Sequence, residues 1–221
     1  MNSEIKSGNC IIMGAGDLTV GSIPYNTEQD FLIAADGGLM YCGVLELEPD
    51  LIIGDFDSLD EGYREALNQI IAKSPDKVIT LPVEKDDTDM LAAVKFGLAK
   101  GYRNFRLYGA NGGRLEHTIA NIQLLKFLKE QNAVGYIMDG QGMILLAQNE
   151  TLRFRDSMEG YINIFAYSEK ACGVTIRGLK YELDNAELSH AIPLGISNEF
   201  VGNAAEVTVE DGTLLIIINW V

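Results

Sequence analysis

The sequence predicts an α/β protein in which an N-terminal, Rossmann-like, three-layer α/β domain with a mainly parallel sheet is followed by an all-β sandwich domain. In the first two thirds of the 221 residues, short apolar runs without alternation are separated by stretches of helical periodicity. Such runs are typical of a parallel sheet that is covered on both faces. After about residue 142 the runs become β-rich and are separated by turns, which is typical of a sandwich or barrel. We therefore expect one domain at residues 1–142 and a second at residues 143–221.

Three stretches of helical periodicity alternate with the apolar runs of the first domain. In Asp87–Lys100 the apolar residues fall on one stripe, and Gly101 ends the helix. His117–Glu130 has the same pattern, and a weaker one in Glu61–Lys73 is closed by Pro75. The runs between them predict six strands: Cys10–Met13, Phe31–Ala35, Leu51–Ile53, Val78–Leu81, Phe105–Tyr108 and Tyr136–Met138. Six later runs predict the strands of the second domain: Met143–Ala147, Tyr161–Phe165, Val174–Arg177, Ser197–Val201, Glu206–Val209 and Thr213–Asn219.

The chain is strongly acidic, with 32 Asp and Glu against 17 Lys and Arg and a formal net charge of −15. Its apolar share of 47% is normal for a globular protein and excludes an acidic disordered chain. No basic stripe is present to neutralise phosphates, so general nucleic-acid binding is excluded. The same charge would repel a phosphate ligand unless something local offsets it.

Cysteine usage and the absence of long apolar segments predict a cytoplasmic protein that does not bind membranes. Cys10, Cys42 and Cys172 lie far apart and form no CxxC pair, which excludes a zinc ribbon and predicts reduced thiols. Residues 1–8 are too polar for a secretory signal. The apolar run Leu214–Ile218 is far too short to span a bilayer.

Aspartates follow the ends of several predicted strands. Asp55 and Asp57 come directly after one strand, and in extended chain residues at this spacing share a face. Asp36 ends a neighbouring strand, and Asp86 and Asp89 stand at a predicted helix start. Because parallel strands end at one edge of the sheet, these carboxylates converge where α/β proteins bind ligands. Converging carboxylates require a cation, and hard oxygen ligands favour Mg²⁺.

Each group of aspartates also has a structural interpretation when it is taken alone. Asp86, Asp87 and Asp89 suit the start of a helix as caps and dipole partners. Asp36 followed by Gly37 is a common turn. Only the three groups together favour a metal site.

A glycine-rich segment, Gly109–His117, lies between a predicted strand and a predicted helix. Its glycines allow the backbone to approach a phosphate, and the helix start supplies free N–H donors. Arg114 adds a planar fork of donors that suits phosphate oxygens. The alternative is an ordinary loop in which Arg114 and Glu116 are surface charges and His117 merely begins the helix.

Other nucleotide and hydrolase signatures are missing. Gly14–Thr19 begins like GxGxxG but lacks the third glycine, and no GxxxxGK[ST] occurs. There is no GxSxG elbow, and two histidines are too few for a histidine-rich zinc site. The sequence therefore excludes a P-loop enzyme and gives little support to dinucleotide binding.

Five motifs resemble those of the thiamine pyrophosphokinase (thiamine diphosphokinase) family, in the family's order and over nearly the whole chain. They are Ala35-Asp36-Gly37-Gly38, the GDFDS of Gly54–Ser58 after Pro49–Ile53, the DxTD of Asp86–Asp89, the GGRLEHTIAN of Gly112–Asn121, and the SNEF of Ser197–Phe200. One residue departs from the pattern. Glu116 stands where the family usually has Asp, so the charge is kept and the reach is longer.

The resemblance implies a reaction that composition alone does not indicate. The hydroxyethyl oxygen of thiamine attacks the β-phosphorus of ATP, a pyrophosphoryl group is transferred, and AMP leaves. The resemblance also implies a homodimer, with thiamine between the α/β domain of one subunit and the β-sandwich of the other. ATP is then a co-substrate, and a magnesium site with a glycine and arginine phosphate loop is sufficient equipment for the transfer.

On this basis we assign roles to particular residues. The predicted Mg²⁺ ligands are Asp55, Asp57 and Asp86, and the predicted catalytic residues are these three with Asp89. The predicted ligand-binding residues are Asp36, Asn111, Gly113, Arg114, His117, Ser197 and Asn198. Trp220 is either an aromatic platform for thiamine or a core residue of the last strand. The general base is left open between Asp55, Asp57 and a water molecule.

Two other functions fit parts of the pattern. A Mg²⁺-dependent phosphohydrolase would use one aspartate as nucleophile and would need neither the glycine loop nor the β domain. A non-catalytic sensor of thiamine or nucleotide would share the fold and bind without turnover.

Overall fold

Residues 5–57 and 59–221 are described by a computed structural model and fall into two units, one that ends at Asp139 and one that spans Gly140–Val221. Ser58 of the GDFDS motif and the first four residues of the polar N-terminus lie outside the described residues. A parallel sheet with helices is followed by a β-rich unit, which confirms the predicted fold class. No helix in the described part of the chain is long and apolar enough to cross a bilayer.

Six parallel strands form the sheet of the first unit. They are β1 (Asn9–Met13), β2 (Phe31–Ala35), β3 (Leu51–Gly54), β4 (Val78–Thr80), β5 (Asn104–Tyr108) and β6 (Val134–Asp139). Their order across the sheet is β6-β5-β1-β2-β3-β4, and every neighbouring pair is parallel. Ile12 of β1 pairs with Ile33 of β2 and with Leu107 of β5, and all three side chains are fully buried. Consecutive residues of β1 and β2 are buried because both faces of the sheet are covered.

Four α-helices lie in the described part of this unit: α1 (Gly38–Val44), α2 (Glu61–Lys73), α3 (Asp89–Ala99) and α4 (Leu115–Glu130). The predicted starts of α3 and α4 were off by two residues. The cap of α3 is Thr88, whose Oγ accepts from the Leu91 N–H at 3.2 Å, so Asp87 precedes the helix. The helix α1 was not predicted, because seven residues with two glycines are too few to show a periodicity.

The second unit contains eight antiparallel strands. They are β7 (Gly142–Gln148), β8 (Thr151–Phe154), β9 (Tyr161–Ala166), β10 (Lys170–Arg177), β11 (Leu183–Ser189), β12 (Gly195–Glu199), β13 (Ala205–Thr208) and β14 (Thr213–Asn219). Within the unit they form one layer in the order β12-β9-β14-β7 and another in the order β11-β10-β13-β8. Burial alternates along β9, as expected for a sheet with one face in a core. The strand β8 was not predicted because four residues are too few to establish an alternation, and β11 was not predicted because it is largely polar.

Gly97 marks the closest approach of α3 to the sheet. A Cβ atom at this position would lie 2.6 Å from Cys10 Sγ and 2.7 Å from Phe105 Cε1, and both of those side chains are fully buried. We expect Gly97→Ala to lower the free energy of unfolding by about 1–2 kcal/mol, because overpacking outweighs the roughly 1 kcal/mol that alanine gains over glycine in a helix. Urea unfolding followed by circular dichroism measures the difference.

Gly62→Ala in α2 is the matched control. Its Cβ would meet nothing closer than Asp60 Oδ1 at 3.6 Å, so the free energy of unfolding should not fall. Equal unfolding midpoints for the two variants would contradict the close packing of α3 on β1 and β5.

Candidate active site

A cavity of about 490 Å³ lies at the carboxyl edge of the sheet in the first unit. Its walls come from the loops that follow β1, β2, β4 and β5 and from the first turns of α3 and α4. Five predicted site residues line it: Asp36, Asp89, Gly113, Arg114 and His117. The carboxyl edge of a parallel sheet is the usual ligand site of α/β proteins, and the topology brings these distant residues together there.

A lysine lies between two of the predicted aspartates. Lys85 Nζ is 2.5 Å from Asp55 Oδ2 and 3.0 Å from Asp89 Oδ1, and the Lys85 and Asp55 side chains are each only 14% exposed. The hydrogen bond from Lys85 holds the pKa of Asp55 below its usual range. Burial lowers the pKa of Lys85, but its hydrogen bonds to both carboxylates outweigh this and raise the pKa overall. Lys85 and Asp55 are therefore both charged at neutral pH.

The other acidic residues of the prediction are differently placed. Asp36 is half-buried, and its charge adds to the effect of burial, which raises the pKa of Asp89. Asp57 and Asp86 are exposed. Within residues 5–57 and 59–221, no three His, Cys, Asp or Glu side chains are grouped closely enough to hold a metal ion. Asp55, Asp57 and Asp86 stay predicted Mg²⁺ ligands.

The chain between Asp55 and Asp57 is not extended, contrary to the expectation that placed both carboxylates on one face. Phe56 has a φ of 61°, in the left-handed region, and its ring is buried in the core. The turn leaves Asp55 half-buried and Asp57 exposed, with the Asp57 N–H 3.4 Å from Asp55 Oδ1. The reason is the phenyl ring, which is drawn into the apolar core and bends the backbone.

The glycine loop after β5 is fixed at several points. The Gly16 N–H donates to Gly109 O at 2.7 Å, and the Asp17 N–H donates to Asn111 O at 2.8 Å. Asn121, a buried residue of α4, donates from Nδ2 to Ala110 O at 2.7 Å. Asn121 belongs to the sequence motif but was not assigned a role. The signal that would have identified it is an amide in an otherwise apolar helix face.

The Asn111 side chain uses its donor but not its acceptor. Its Nδ2 donates to Asp139 Oδ2 at 2.5 Å, and its Oδ1 is buried with no hydrogen-bond partner among the residues that the structure describes. A buried amide oxygen without a partner is costly in free energy. Asn111 is therefore suited to a ligand that donates a hydrogen bond.

Two charged side chains border the glycine loop. Asp17 accepts from the Gly113 N–H at 3.2 Å, so an exposed carboxylate occupies one of the donors that the loop offers. Arg114 donates from Nε to Glu116 Oε1 at 2.7 Å, and both side chains are mostly exposed. Exposed ion pairs contribute little stability, so Glu116 does not fix Arg114 firmly. The guanidinium remains available to an anion.

In the second unit, Asn198 supports the backbone of a neighbouring aromatic residue. Its Oδ1 accepts from the Tyr181 N–H at 3.0 Å, and its Nδ2 donates to Tyr181 O at 2.7 Å. The Tyr181 side chain is 59% exposed, whereas Asn198 is buried. Ser197 is exposed, has a φ of 58°, and donates its N–H to Asn163 Oδ1 at 2.8 Å. Trp220 follows β14 and is 36% exposed.

Family models match most of the chain. The model of the thiamin pyrophosphokinase catalytic domain matches residues 24–136, and that of the thiamin pyrophosphokinase vitamin B1 binding domain matches residues 149–214. The chain belongs to the thiamin pyrophosphokinase family. It is therefore an ATP-dependent pyrophosphotransferase that acts on thiamine, which confirms the predicted family and activity.

Similar proteins cover nearly the full length of the chain. It is 29% identical to the thiamine pyrophosphokinase of Bacillus subtilis over 217 residues, which is 96% of this chain and 98% of the relative. A crystal structure of the Bacillus subtilis enzyme has a TM-score of 0.86 at 28% identity, covering 97% of this chain and 99% of that one. The structure from Geobacillus thermodenitrificans has a TM-score of 0.81 at 30% identity, covering 96% and 97%. The yeast structure, at 17% identity, shares the fold with a TM-score of 0.74, covering 99% and 88%.

Most of the candidate residues fall within the matched ranges of the two thiamin pyrophosphokinase domains. The catalytic match contains the cavity of the first unit from Ala35 onward. The vitamin B1 binding match contains Tyr181, Ser197 and Asn198 but ends before Trp220.

We expect Asp17→Asn to improve ATP binding. Asparagine still accepts from the Gly113 N–H but removes a negative charge from the glycine loop. Since the carboxylate is exposed, the KM for ATP should fall by about two- to fivefold with kcat unchanged. Steady-state kinetics with varied ATP measures this. An unchanged or higher KM would show that the glycine loop does not bind the phosphates.

Proposed function

We propose that the cavity of the first unit binds ATP with Mg²⁺ and that thiamine attacks the β-phosphorus there, releasing AMP. The observation that carries the proposal is that Asp36, Asp89 and the glycine loop line one cavity, with Asp55 joined to Asp89 through Lys85. Transfer of this kind requires mainly positioning and charge neutralisation. The cavity offers oxygen ligands for a cation on one side and backbone and guanidinium donors on the other.

The acidic side of the cavity suits a magnesium ion. Asp55 and Asp89 already hold a cation, the ammonium of Lys85, between hard oxygen ligands of the type that Mg²⁺ prefers. Asp55, Asp57 and Asp86 would hold the metal, with Asp36 and Asp89 in support. Bound Mg²⁺ would neutralise and orient the phosphate oxygens. Asp55, Asp57 and a water molecule are the candidates for the general base.

The opposite side of the cavity suits the nucleotide. The Gly113 N–H and the Arg114 guanidinium would bind phosphate oxygens, because both donate hydrogen bonds at the start of α4. Asn111 has an unused acceptor, so it suits a hydroxyl or amino group of ATP better than a phosphate. His117 lies on the first turn of α4 and lines the cavity, where its ring would contact the nucleotide.

In the second unit, we assign thiamine to the surface around Tyr181. The exposed ring offers a stacking face for the flat aminopyrimidine, and Asn198 fixes the backbone that carries it. Ser197 precedes Asn198 in β12 and has an exposed side chain, which would form a hydrogen bond with the pyrimidine. The acidic chain favours thiamine because its thiazolium ring is a cation.

We further propose a homodimer, as the family resemblance implies, with the thiamine site at the subunit interface. Ile192, Leu194 and Ile196 are exposed at and before β12, which is an edge strand of its layer. Such an apolar edge is one that a second copy of the chain would cover. A cytoplasmic location stays a prediction from the cysteines.

The reaction is tested by incubating the protein with Mg²⁺, ATP and thiamine and identifying the adenine product. We expect AMP and thiamine diphosphate in equal amounts, and no AMP when thiamine is omitted. ADP, or phosphate released without thiamine, would overturn the proposed transfer and favour a phosphohydrolase. Binding of both substrates without turnover would favour a sensor.

We expect Asp57→Asn to lower Mg²⁺-dependent kcat/KM by at least about 100-fold, because it removes a proposed metal ligand. Asp57 is exposed, so the unfolding midpoint should stay nearly unchanged. Kinetics at several Mg²⁺ concentrations, with circular dichroism on the same samples, measure both.

Asp76→Asn is the control for that variant. It removes the same charge from an exposed position in the turn before β4 and should leave kcat/KM within about twofold. Wild-type activity in Asp57→Asn would remove Asp57 from the metal site.

A further inference from the structure

Lys85 is charged, mostly buried and central to the acidic side of the cavity. Its ammonium contacts Asp55 at 2.5 Å and Asp89 at 3.0 Å, and the same side chain lines the cavity that contains the glycine loop. We propose that Lys85 is the counter-ion of the magnesium site in the free enzyme. When the metal binds, the Lys85 ammonium leaves Asp55 and Asp89 and binds a nucleotide phosphate instead. This inference rests on the proposed magnesium site.

The ammonium and the metal exclude each other. A ligand oxygen lies about 2.0–2.1 Å from Mg²⁺, and Asp55 Oδ2 is already in close contact with Lys85 Nζ. A divalent and a monovalent cation on the same oxygen would also repel each other strongly in a site that is shielded from solvent. A metal ion at Asp55 Oδ2 would therefore compete with Lys85 for the same oxygen.

In the free enzyme, the carboxylates of Asp55 and Asp89 require a cation to offset their negative charge. The Asp55 and Asp89 carboxylates both contact the Lys85 ammonium, at 2.5 Å and 3.0 Å, so without it two like charges would lie close together in a site that is largely shielded from solvent. Lys85 offsets this repulsion and holds Asp55 and Asp89 at a common point. It thus positions the proposed ligand Asp55 and the supporting Asp89, and at the same time it competes with the metal for Asp55.

The nucleotide offers Lys85 a second partner. The side chain is a compact ammonium on a flexible stem, which binds phosphate as a point charge and has room to move. Gly112, Gly113 and Arg114 line the same cavity as Lys85, so phosphates bound by them would lie in the cavity that Lys85 also borders. Binding of the nucleotide and binding of the metal are then coupled. A bound nucleotide attracts Lys85 away from Asp55 and so increases the affinity for the metal, and a bound metal frees Lys85 and so increases the affinity for the nucleotide.

A second lysine provides a matched comparison. Lys95 also pairs with an aspartate of the same segment, Asp87, at 2.7 Å, but the two side chains are 49% and 36% exposed. Water screens this pair, so its loss changes the charge of the protein equally without freeing a metal ligand.

The first experiment measures Mn²⁺ binding without nucleotide by electron paramagnetic resonance, in wild type, Lys85→Met, Lys95→Met and Asp55→Asn. We expect Lys85→Met to bind Mn²⁺ about tenfold more tightly than wild type, because the competing ammonium is gone. Lys95→Met should stay within about twofold of wild type, and Asp55→Asn should lose the site.

The outcomes separate this proposal from the magnesium site itself. Equal Mn²⁺ affinity in wild type and Lys85→Met, with loss in Asp55→Asn, would overturn the role of Lys85 and leave the magnesium site standing. Mn²⁺ binding that is unaffected by Asp55→Asn would overturn both. Circular dichroism confirms that each variant is folded, and Lys85→Gln replaces Lys85→Met if the latter is not.

The second experiment measures the KM for each substrate at saturating Mg²⁺. In Lys85→Met the KM for ATP should rise about tenfold, because a charged hydrogen bond to phosphate is lost, while the KM for thiamine stays within about twofold. Lys85→Arg keeps the charge and should restore part of the ATP affinity. An unchanged KM for ATP, or an equal rise for both substrates, would overturn the transfer of Lys85 to the nucleotide.

Discussion

The parallel register of the first unit determines where every part of the cavity lies. Ala35 pairs with Ile53 and Gly54 pairs with Thr80, so the loops that follow β2, β3 and β4 leave the sheet side by side. Burial of the apolar strand residues fixes this register, because each fully buried large side chain contributes about 1.5–3 kcal/mol and a shift by one residue would exchange the two faces. Burial of the apolar strand residues thus positions the charged residues in the loops at the carboxyl edge of the sheet.

Two side chains of opposite sign occupy the two halves of the cavity. Lys85 lies among the carboxylates, and Asp17 accepts from a backbone donor of the glycine loop. The protein itself supplies a cation where we propose Mg²⁺ and an anion where we propose phosphate. Asp17 would oppose a phosphate at the glycine loop, so ATP binding to a chain with a net charge of −15 requires local positive charge. The proposed Mg²⁺, together with Lys85 and Arg114, would supply that charge in the cavity.

Features that depend on local sequence patterns could be predicted, whereas features that depend on contacts between distant residues could not. Apolar runs were sufficient for β1 to β6, and short motifs were sufficient for the family and its activity. Lys85 was not identified, because its partner Asp55 is 30 residues away and only the sheet brings them together. The turn at Phe56 was missed for the same reason, since it depends on a core that closes around the ring. The strand β11 was missed because it is polar and lies at the edge of its layer.

Backbone strain is concentrated in the motifs. Of the four described residues with left-handed φ that are neither glycine nor asparagine, three are Asp36, Phe56 and Ser197, each in a different motif. This conformation costs of order 1 kcal/mol for a residue with a Cβ atom, and glycine would avoid the cost. Each position therefore keeps a side chain that glycine lacks: a carboxylate at the cavity, a ring that anchors the turn between two aspartates, and a hydroxyl beside Asn198. Strain is retained where the direction of one side chain matters more than local stability.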